Sequence, residues 1–492
     1  MSSLSLSDKA GFIGVGRFLR TVSKLLFALI LVRLISKYDF GTYRQVFLLY
    51  NLLSAIFFLG VPTSIYYFLP QVDGEKSKTF IVQSEIFLFF LGILLGVFFL
   101  FFSGFLGRSF SNPSLPDYLR LFALYPLLDF PIQALPPILI CHDKHKLSAI
   151  VNIIFMLTFL FALMVPLLLG CSLYRAFFVL ILVSSLQLIV VAFYLFKLVG
   201  GFPVFFDFSI FINQIKYSVP LGLSGFTTLV SRELDKLIIS FFFLPQIFAV
   251  YTIGARELPF VTMIPYAVSS TLFPKFVKLY KEDRIQELLD LWHNAIIKVS
   301  LLLLPAFVLF FVTAREVVEV LYTSNYLESV PVFRYYLLLI LIHVTAFDSV
   351  ILSLGFPKKV LYASLGAVVL NLILNVVFIQ AFGFTGPAIA TILVSYLVTI
   401  FFLKIIKENT SVGWGQVFPW EKYLKILIIS ILSGLISWPV HTLTLHPVLK
   451  ILCVTIVFLG VYIFQLSFFK MATRRDVEFL KRWISFKVLF RS

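Results

Sequence analysis

The chain has 492 residues, 60% hydrophobic and only 13% charged, with a net charge of +16 and a mean hydropathy of +1.02. Soluble domains are nearer half apolar and a quarter charged, so a soluble enzyme or binding module is excluded. Apolar runs of about 20 residues recur along the chain, each long enough to cross a hydrocarbon core of roughly 30 Å as a helix, and the weak ten-residue alternation of a barrel is missing.

In chain order the runs predict fourteen spans, at roughly 11–35, 43–69, 80–106, 119–141, 147–169, 173–199, 213–243, 247–273, 290–312, 331–354, 360–381, 386–404, 423–440 and 447–470. The fold class is therefore an all-α polytopic membrane protein. The first run is too long for the core of a cleavable signal and reads as a retained helix. Two segments look amphipathic and interfacial. Pro274 to Ala295 places Val277, Ile285, Leu288 and Trp292 near one helical face, and the basic C-terminal tail does the same with Val477, Leu480, Ile484 and Val488. A solvated charged tail is the alternative for the second. Cys141, Cys171 and Cys453 are scattered and suggest neither a disulfide framework nor a metal cluster.

Lys and Arg crowd the N-terminus, the even-numbered loops and the C-terminus, whereas the odd-numbered loops carry only Lys37, Arg108, Arg175 and Arg315. That bias places both termini in the cytoplasm. It accounts for most of the positive charge as topogenic and facing anionic membrane lipid, so no nucleic-acid partner is implied. Loops this short leave no room for a soluble catalytic domain.

The chain repeats itself. The stretch from Gly14 to Tyr43 aligns without gaps with Gly222 to Tyr251, and nine of thirty positions are identical, Gly14/Gly222, Ser23/Ser231, Phe40/Phe248 and Tyr43/Tyr251 among them. Both copies start at an odd-numbered span and share an orientation, a parallel repeat of six spans each, followed by two further helices. The domains read as residues 1–204, residues 205–410, two added helices in 411–470 and a tail of 471–492.

The first span holds Arg17, Arg20, Lys24 and Arg33 and no acid. At about 100° per residue, Arg17, Arg20 and Lys24 fall within an arc of about 60°, with Arg33 nearly opposite. A mid-membrane Arg or Lys costs about 2.5–3.5 kcal/mol on an insertion scale, so a stripe facing water and an anionic cargo is the natural reading. Phosphate groups suit it through charge-assisted hydrogen bonds. The alternative is pairing with acids of other helices. The seventh span carries Arg232, Glu233, Asp235 and Lys236, a group that sums to zero and reads either as a self-neutralised knot or as an ion-coupling site. Arg256 and Glu257 follow in the eighth. Asp129, Asp235, Glu257 and Asp348 are the candidates for proton or sodium coupling, with pairing to an arginine as the competing role.

The opening from Gly16 through Phe40-Gly41-x-Tyr43 and Leu59-Gly60, and a second pattern at Gly355-Phe-Pro-Lys-Lys, Asn371-x-x-x-Asn375 and Phe382-Gly383-x-x-Gly386-x-Ala388-x-Ala390-Thr391, carry a family likeness. The chain resembles bacterial polysaccharide-repeat-unit flippases, the Wzx-type branch of the multidrug/oligosaccharidyl-lipid/polysaccharide (MOP) exporter superfamily. It departs at Pro387, where a small residue is usual. The resemblance implies two six-helix lobes around a central cavity with two C-terminal helices added. It implies alternating access, a cargo of polyprenyl-diphosphate-linked oligosaccharide and no enzymatic activity. By location in related flippases, Arg20, Lys24 and Arg256 are diphosphate-binding candidates, with Arg44 a poorer match; Arg17, from the same stripe, and Arg232 complete the candidate set. It further implies a bacterial inner-membrane setting and polysaccharide polymerase and assembly proteins as partners. A drug/cation antiporter of the same superfamily and a peptidoglycan-precursor flippase are the alternatives. An antiporter predicts an acid-rich first lobe, which the sequence lacks. No nucleotide loop is present, so neither a cofactor nor a metal is expected and the drive is an ion gradient or removal of the product.

Overall fold

A computed structural model describes residue 23, residues 26–200 and residues 206–469 of the chain. Arg17, Arg20, Lys24 and the basic tail of 471–492 lie outside the described residues. Among the described residues there is no strand. Twenty α-helices follow one another: α1 (26–34), α2 (Lys37–Phe57), α3 (Val61–Phe68), α4 (Gly74–Ser109), α5 (Leu115–Phe122), α6 (Leu124–Ile132), α7 (Leu135–Cys141), α8 (His145–Leu168), α9 (Leu173–Val199), α10 (Phe208–Phe242), α11 (Pro245–Gly254), α12 (Pro259–Lys281), α13 (Ile285–Val312), α14 (Ala314–Tyr322), α15 (Val330–Leu337), α16 (Phe347–Ser353), α17 (Pro357–Phe382), α18 (Gly386–Thr410), α19 (Trp420–Ser437) and α20 (Pro447–Phe468).

By length and composition, nine helical stretches among the described residues suffice to cross a membrane, or ten if the bent pair α2 and α3 is one span. The sequence predicts fourteen, and each difference has a local cause. The first run lies largely outside the described residues. Helix α10 is interrupted by Asn, Gln, Ser, Thr and Gly as well as by its charges, and no stretch of it is apolar enough to be counted. The tenth run is broken into α15, a 3₁₀ turn over Leu338–Leu341 and α16. The nine count Pro357–Thr410 once, although α17 and α18 lie side by side with Asn371 Nδ2 donating to Thr391 Oγ1 at 3.4 Å. The chain reverses between them at Gly383, whose φ of +59° favours glycine.

The fold divides into two compact units. Among the described residues, the first comprises those up to Glu233 with Ser240–Ala249; the second comprises Leu234–Ile239 with those from Val250 onward. In the first unit α4 runs 36 residues, about 54 Å at 1.5 Å per residue. Its Gly92 and Gly96 let the backbone of α6 approach directly; a Cβ on Gly92 would lie 2.6 Å from Pro126 O. Aromatic rings fill the space between α2, α5, α8 and α9, with Phe47 within 6 Å of Phe122, Phe159 and Phe177. The fourth span is split into α5, α6 and α7, a stretch with prolines at 116, 126, 131, 136 and 137.

In the second unit, α12 continues to Lys281, and α13 begins after a three-residue turn in which Arg284 forks onto Glu287 (2.7 Å to each oxygen) and Glu282 (2.9 Å). The expected interfacial helix over Pro274 to Ala295 is thus the end of one long helix and the start of the next. Its apolar residues Phe276, Leu279, Leu288, Leu289 and Trp292 are buried inside the unit rather than turned to a membrane surface. The two C-terminal helices dock on α13: Tyr462 Oη donates to Leu301 O (3.0 Å), and Gly434 approaches Val308.

One close approach supports a stability prediction. Gly60 breaks α2 from α3 with φ +71°, and a Cβ there would lie 2.5 Å from Ser218 O and 2.8 Å from Gly222 N; a Cβ on Gly222 would lie 2.6 Å from Leu59 C. All are backbone atoms with little room to yield. Gly60→Ala adds the left-handed penalty of about 1–2 kcal/mol to that clash. It is expected to cost about 2–4 kcal/mol, read as a lower thermal midpoint in detergent. Gly74→Ala, at φ +58° but facing open space, is expected to cost only about 1 kcal/mol. Equal midpoints for Gly60→Ala and wild type would contradict this packing.

Candidate functional site

Two of the charged residues of the seventh span, Asp235 and Lys236, meet the breaks of the eighth and tenth inside the second unit. Asp235 and Lys236 on α10 are 3% and 9% exposed. Tyr251 on α11 donates its hydroxyl to Asp235 Oδ2 at 2.7 Å, and Tyr336 on α15 donates to the same oxygen. Lys236 Nζ lies 3.6 Å from Asp235 Oδ1. Two phenols and an ammonium thus hold one carboxylate, the charge-assisted arrangement that makes a buried ion tolerable. Helix α11 ends at Gly254 and α12 begins at Pro259, so the unwound residues 255–258 present Arg256 and Glu257. They line a cavity of about 10 Å³ with Tyr336 and His343. Such a space admits a water, a proton relay or a small ion, and no sugar. His343 Nδ1 is buried there without a hydrogen-bond partner.

The first unit holds a second carboxylate of the same kind. Asp129, on α6 between Pro126 and Pro131, accepts from the Tyr50 hydroxyl and from Gln133 Nε2 (3.0 Å). The Tyr50 and Tyr125 rings meet edge to face at 5.2 Å. Each unit therefore buries an acid against a tyrosine of its second span and beside a tyrosine of its fourth. In the first unit the acid stands on the fourth span; in the second it stands on the first span of the repeat. At the aligned position Phe27 replaces Asp235, and its ring lies 6.1 Å from Tyr43, the counterpart of Tyr251.

Of the other residues singled out from sequence, Arg44 is half-buried on α2 beside Gln45. Arg232 is exposed, with Nε 3.3 Å from Glu233 Oε1. Asp348 is exposed in the first turn of α16, where an acid complements the helix dipole. Thus Asp235, Arg256 and Glu257 are brought together, Asp129 belongs to a separate centre, and Asp348 joins neither. Sequence reasoning missed three residues. His343 is a histidine inside an apolar run, a signal that was available. Glu85 on α4 has Oε1 buried without a hydrogen-bond partner; a lone acid six residues into a predicted span was also legible. Asn112, fully buried, is not, because only the fold joins it to Tyr38, Thr42 and Gln45.

Residues 30–331 match the family described as polysaccharide biosynthesis protein. The probable low-salt glycan biosynthesis flippase Agl15 of Haloferax volcanii is 26% identical over 274 residues, which are 50% of this chain and 56% of that protein. The chain spans about half the length of the curated relatives it matches. Among solved structures, the lipid II flippase MurJ in an inward closed conformation superposes with a TM-score of 0.71 at 15% identity, covering 93% of this chain and 98% of that one. An inward-facing multidrug resistance MATE family transporter of the MOP superfamily gives 0.62 at 15% identity, covering 82% and 98%. At such identities the likeness speaks for the fold alone. With a family match over well more than half its length, on a fold shared with transporters of the MOP superfamily, this chain belongs to the polysaccharide biosynthesis protein family.

Proposed function

We propose that the protein is a flippase that carries a polyprenyl-diphosphate-linked oligosaccharide from the inner to the outer leaflet of the cytoplasmic membrane by alternating access, both termini being cytoplasmic. The observation that carries this reading is membership of a polysaccharide biosynthesis family on a fold that matches a flippase over 93% of the chain. The flippase Agl15 as a relative supports it. The acid-free first span supplies the charge such a cargo needs, with Arg20 and Lys24 as the diphosphate grip and Arg17, Arg44, Arg232 and Arg256 as further candidates. Asp129 and Asp235, each bound by tyrosine, are the places where a proton or sodium ion drives the cycle, with Glu257 beside the second. The product would pass to a polymerase and assembly proteins of a surface glycan.

The MATE-like fold keeps a drug/cation antiporter as the second reading. Reconstitution separates the two. Vesicles containing the protein and a labelled polyprenyl-diphosphate oligosaccharide are expected to expose the sugar to an external sugar-modifying reagent at least tenfold faster than protein-free vesicles. Exposure at the protein-free rate, together with gradient-driven efflux of a cationic dye, would replace the flippase with the antiporter.

A further inference from the structure

Away from both carboxylate centres, the first unit carries an open cleft at the start of α5 and of α9. Ser114, Asp117, Tyr118, Arg120 and Tyr174 line a volume of about 430 Å³. The cleft is shallow and open, so a sugar ring would lie against its wall, whereas the cavity beside Asp235 admits none. The Tyr118 and Tyr174 rings stand 5.9 Å apart and tilted by 64°, with the Tyr174 side open. Arg120 Nη1 and Asp117 Oδ1 are 3.3 Å apart and both exposed. The cleft therefore offers aromatic faces, a fork of donors, a carboxylate acceptor and a serine hydroxyl, with no net charge from the pair.

Its floor is fixed. Asn112 is wholly buried and accepts from Tyr38 Oη (2.7 Å) and Ser114 N (3.0 Å). Its amide donates to Thr42 Oγ1 (2.9 Å) and Gln45 Oε1 (2.6 Å). Tyr38 Oη also lies 3.0 Å from Ser114 Oγ. A chain of side-chain hydrogen bonds thus holds the loop before α5 in place, the preorganisation that lowers the cost of binding. Burial and the nearby Asp39 push the Tyr118 hydroxyl up to about 12, so it remains a neutral donor.

We propose that this cleft is a carbohydrate-binding subsite for neutral pyranose rings: Tyr174 and Tyr118 stack on their C–H faces while Asp117, Arg120 and Ser114 hydrogen-bond their hydroxyls. It rests on the flippase reading for its purpose, since it lies on the side of the odd-numbered loops, where the translocated sugar emerges. It receives the leading sugar and favours release of the cargo outward.

The test is saturation-transfer NMR with the full-length protein in nanodiscs, using lactose, mannobiose and diacetylchitobiose as probes at millimolar concentration. Transfer to at least one disaccharide is expected for wild type. It should fall at least fivefold in Tyr174→Ala and in Arg120→Ala, exposed positions whose variants should keep the wild-type thermal midpoint. Tyr174→Phe should retain transfer, because stacking needs the ring and not the hydroxyl. No transfer to any of the three, or transfer at the wild-type level in both Tyr174→Ala and Arg120→Ala, overturns the subsite and makes the tyrosines interfacial anchors. Binding that persists while reconstituted protein moves no lipid-linked sugar leaves the subsite standing and overturns the transport reading instead.

Discussion

Asp235→Ala is expected to destabilise the protein by about 3–5 kcal/mol, the usual result of removing one partner from a buried ion pair. The loss takes away the acceptor shared by Tyr251 and Tyr336 and the carboxylate beside Lys236. Asp235→Asn keeps an oxygen for the phenols but removes the charge, so about 1.5–3 kcal/mol is expected. If the pair acts chiefly as a self-neutralised knot, Asp235→Asn combined with Lys236→Met should recover much of that loss, because no uncompensated charge remains. The measurement is the thermal midpoint of the four proteins in one detergent, with translocation rate alongside. A double variant that regains the midpoint but stays inactive assigns Asp235 to ion coupling. One that regains both makes the pair structural. A single variant with the wild-type midpoint would contradict the geometry.

The second large effect concerns transport. On the proposed flippase reading, Arg20→Ala/Lys24→Ala would remove two charge-assisted grips on the diphosphate, each worth about 1.5–3 kcal/mol. Together these predict a fall in translocation of about 10²–10⁴-fold at the conventional 1.4 kcal/mol per decade. Arg33→Ala is the internal control. Arg33 donates to the carbonyl of Leu29 on its own helix, and on the helical wheel it faces away from the stripe, so a change below threefold is expected. The readout is initial rate at matched protein content. An active double variant would place the charge of the first span in a structural role.

Much of the architecture is legible in the sequence because hydropathy is a property of runs. The bounds of α9 coincide with the predicted sixth span, and the hairpin of α17 and α18 follows the Phe382-Gly383-x-x-Gly386 pattern. What periodicity does not reveal is where a run breaks. The tenth span carries Arg334, His343 and Asp348 where the fifth carries no charge, but only the fold shows the helix giving way over Leu338–Leu341 and beyond and bringing His343 beside Glu257. The charges of α10 were visible, but their partners were not. Tyr251 and Tyr336 are two of 21 tyrosines, and only the packing of α11 and α15 on α10 selects them. Pro274 to Ala295 failed for a related reason: a helix end and a helix start in succession mimic one amphipathic helix when the turn between them is three charged residues, Glu282, Asp283 and Arg284.

The broken spans also bear on how the chain enters the membrane. Leu124–Cys141 and Phe260–Lys281 are the least apolar of the candidate spans. The proline-rich breaks beside them leave backbone amides and carbonyls that a lipid environment alone does not satisfy. Such segments are weak stop-transfer signals during synthesis. The strongly apolar α4 and the α8–α9 pair flank the first of them, and α13 follows the second. The expected route of insertion is therefore by hairpins, in which a robust helix retains its weakly apolar neighbour. Nascent chains ending just after Cys141 or Lys281 are expected to be the intermediates most exposed to slippage into the aqueous phase and to membrane quality control.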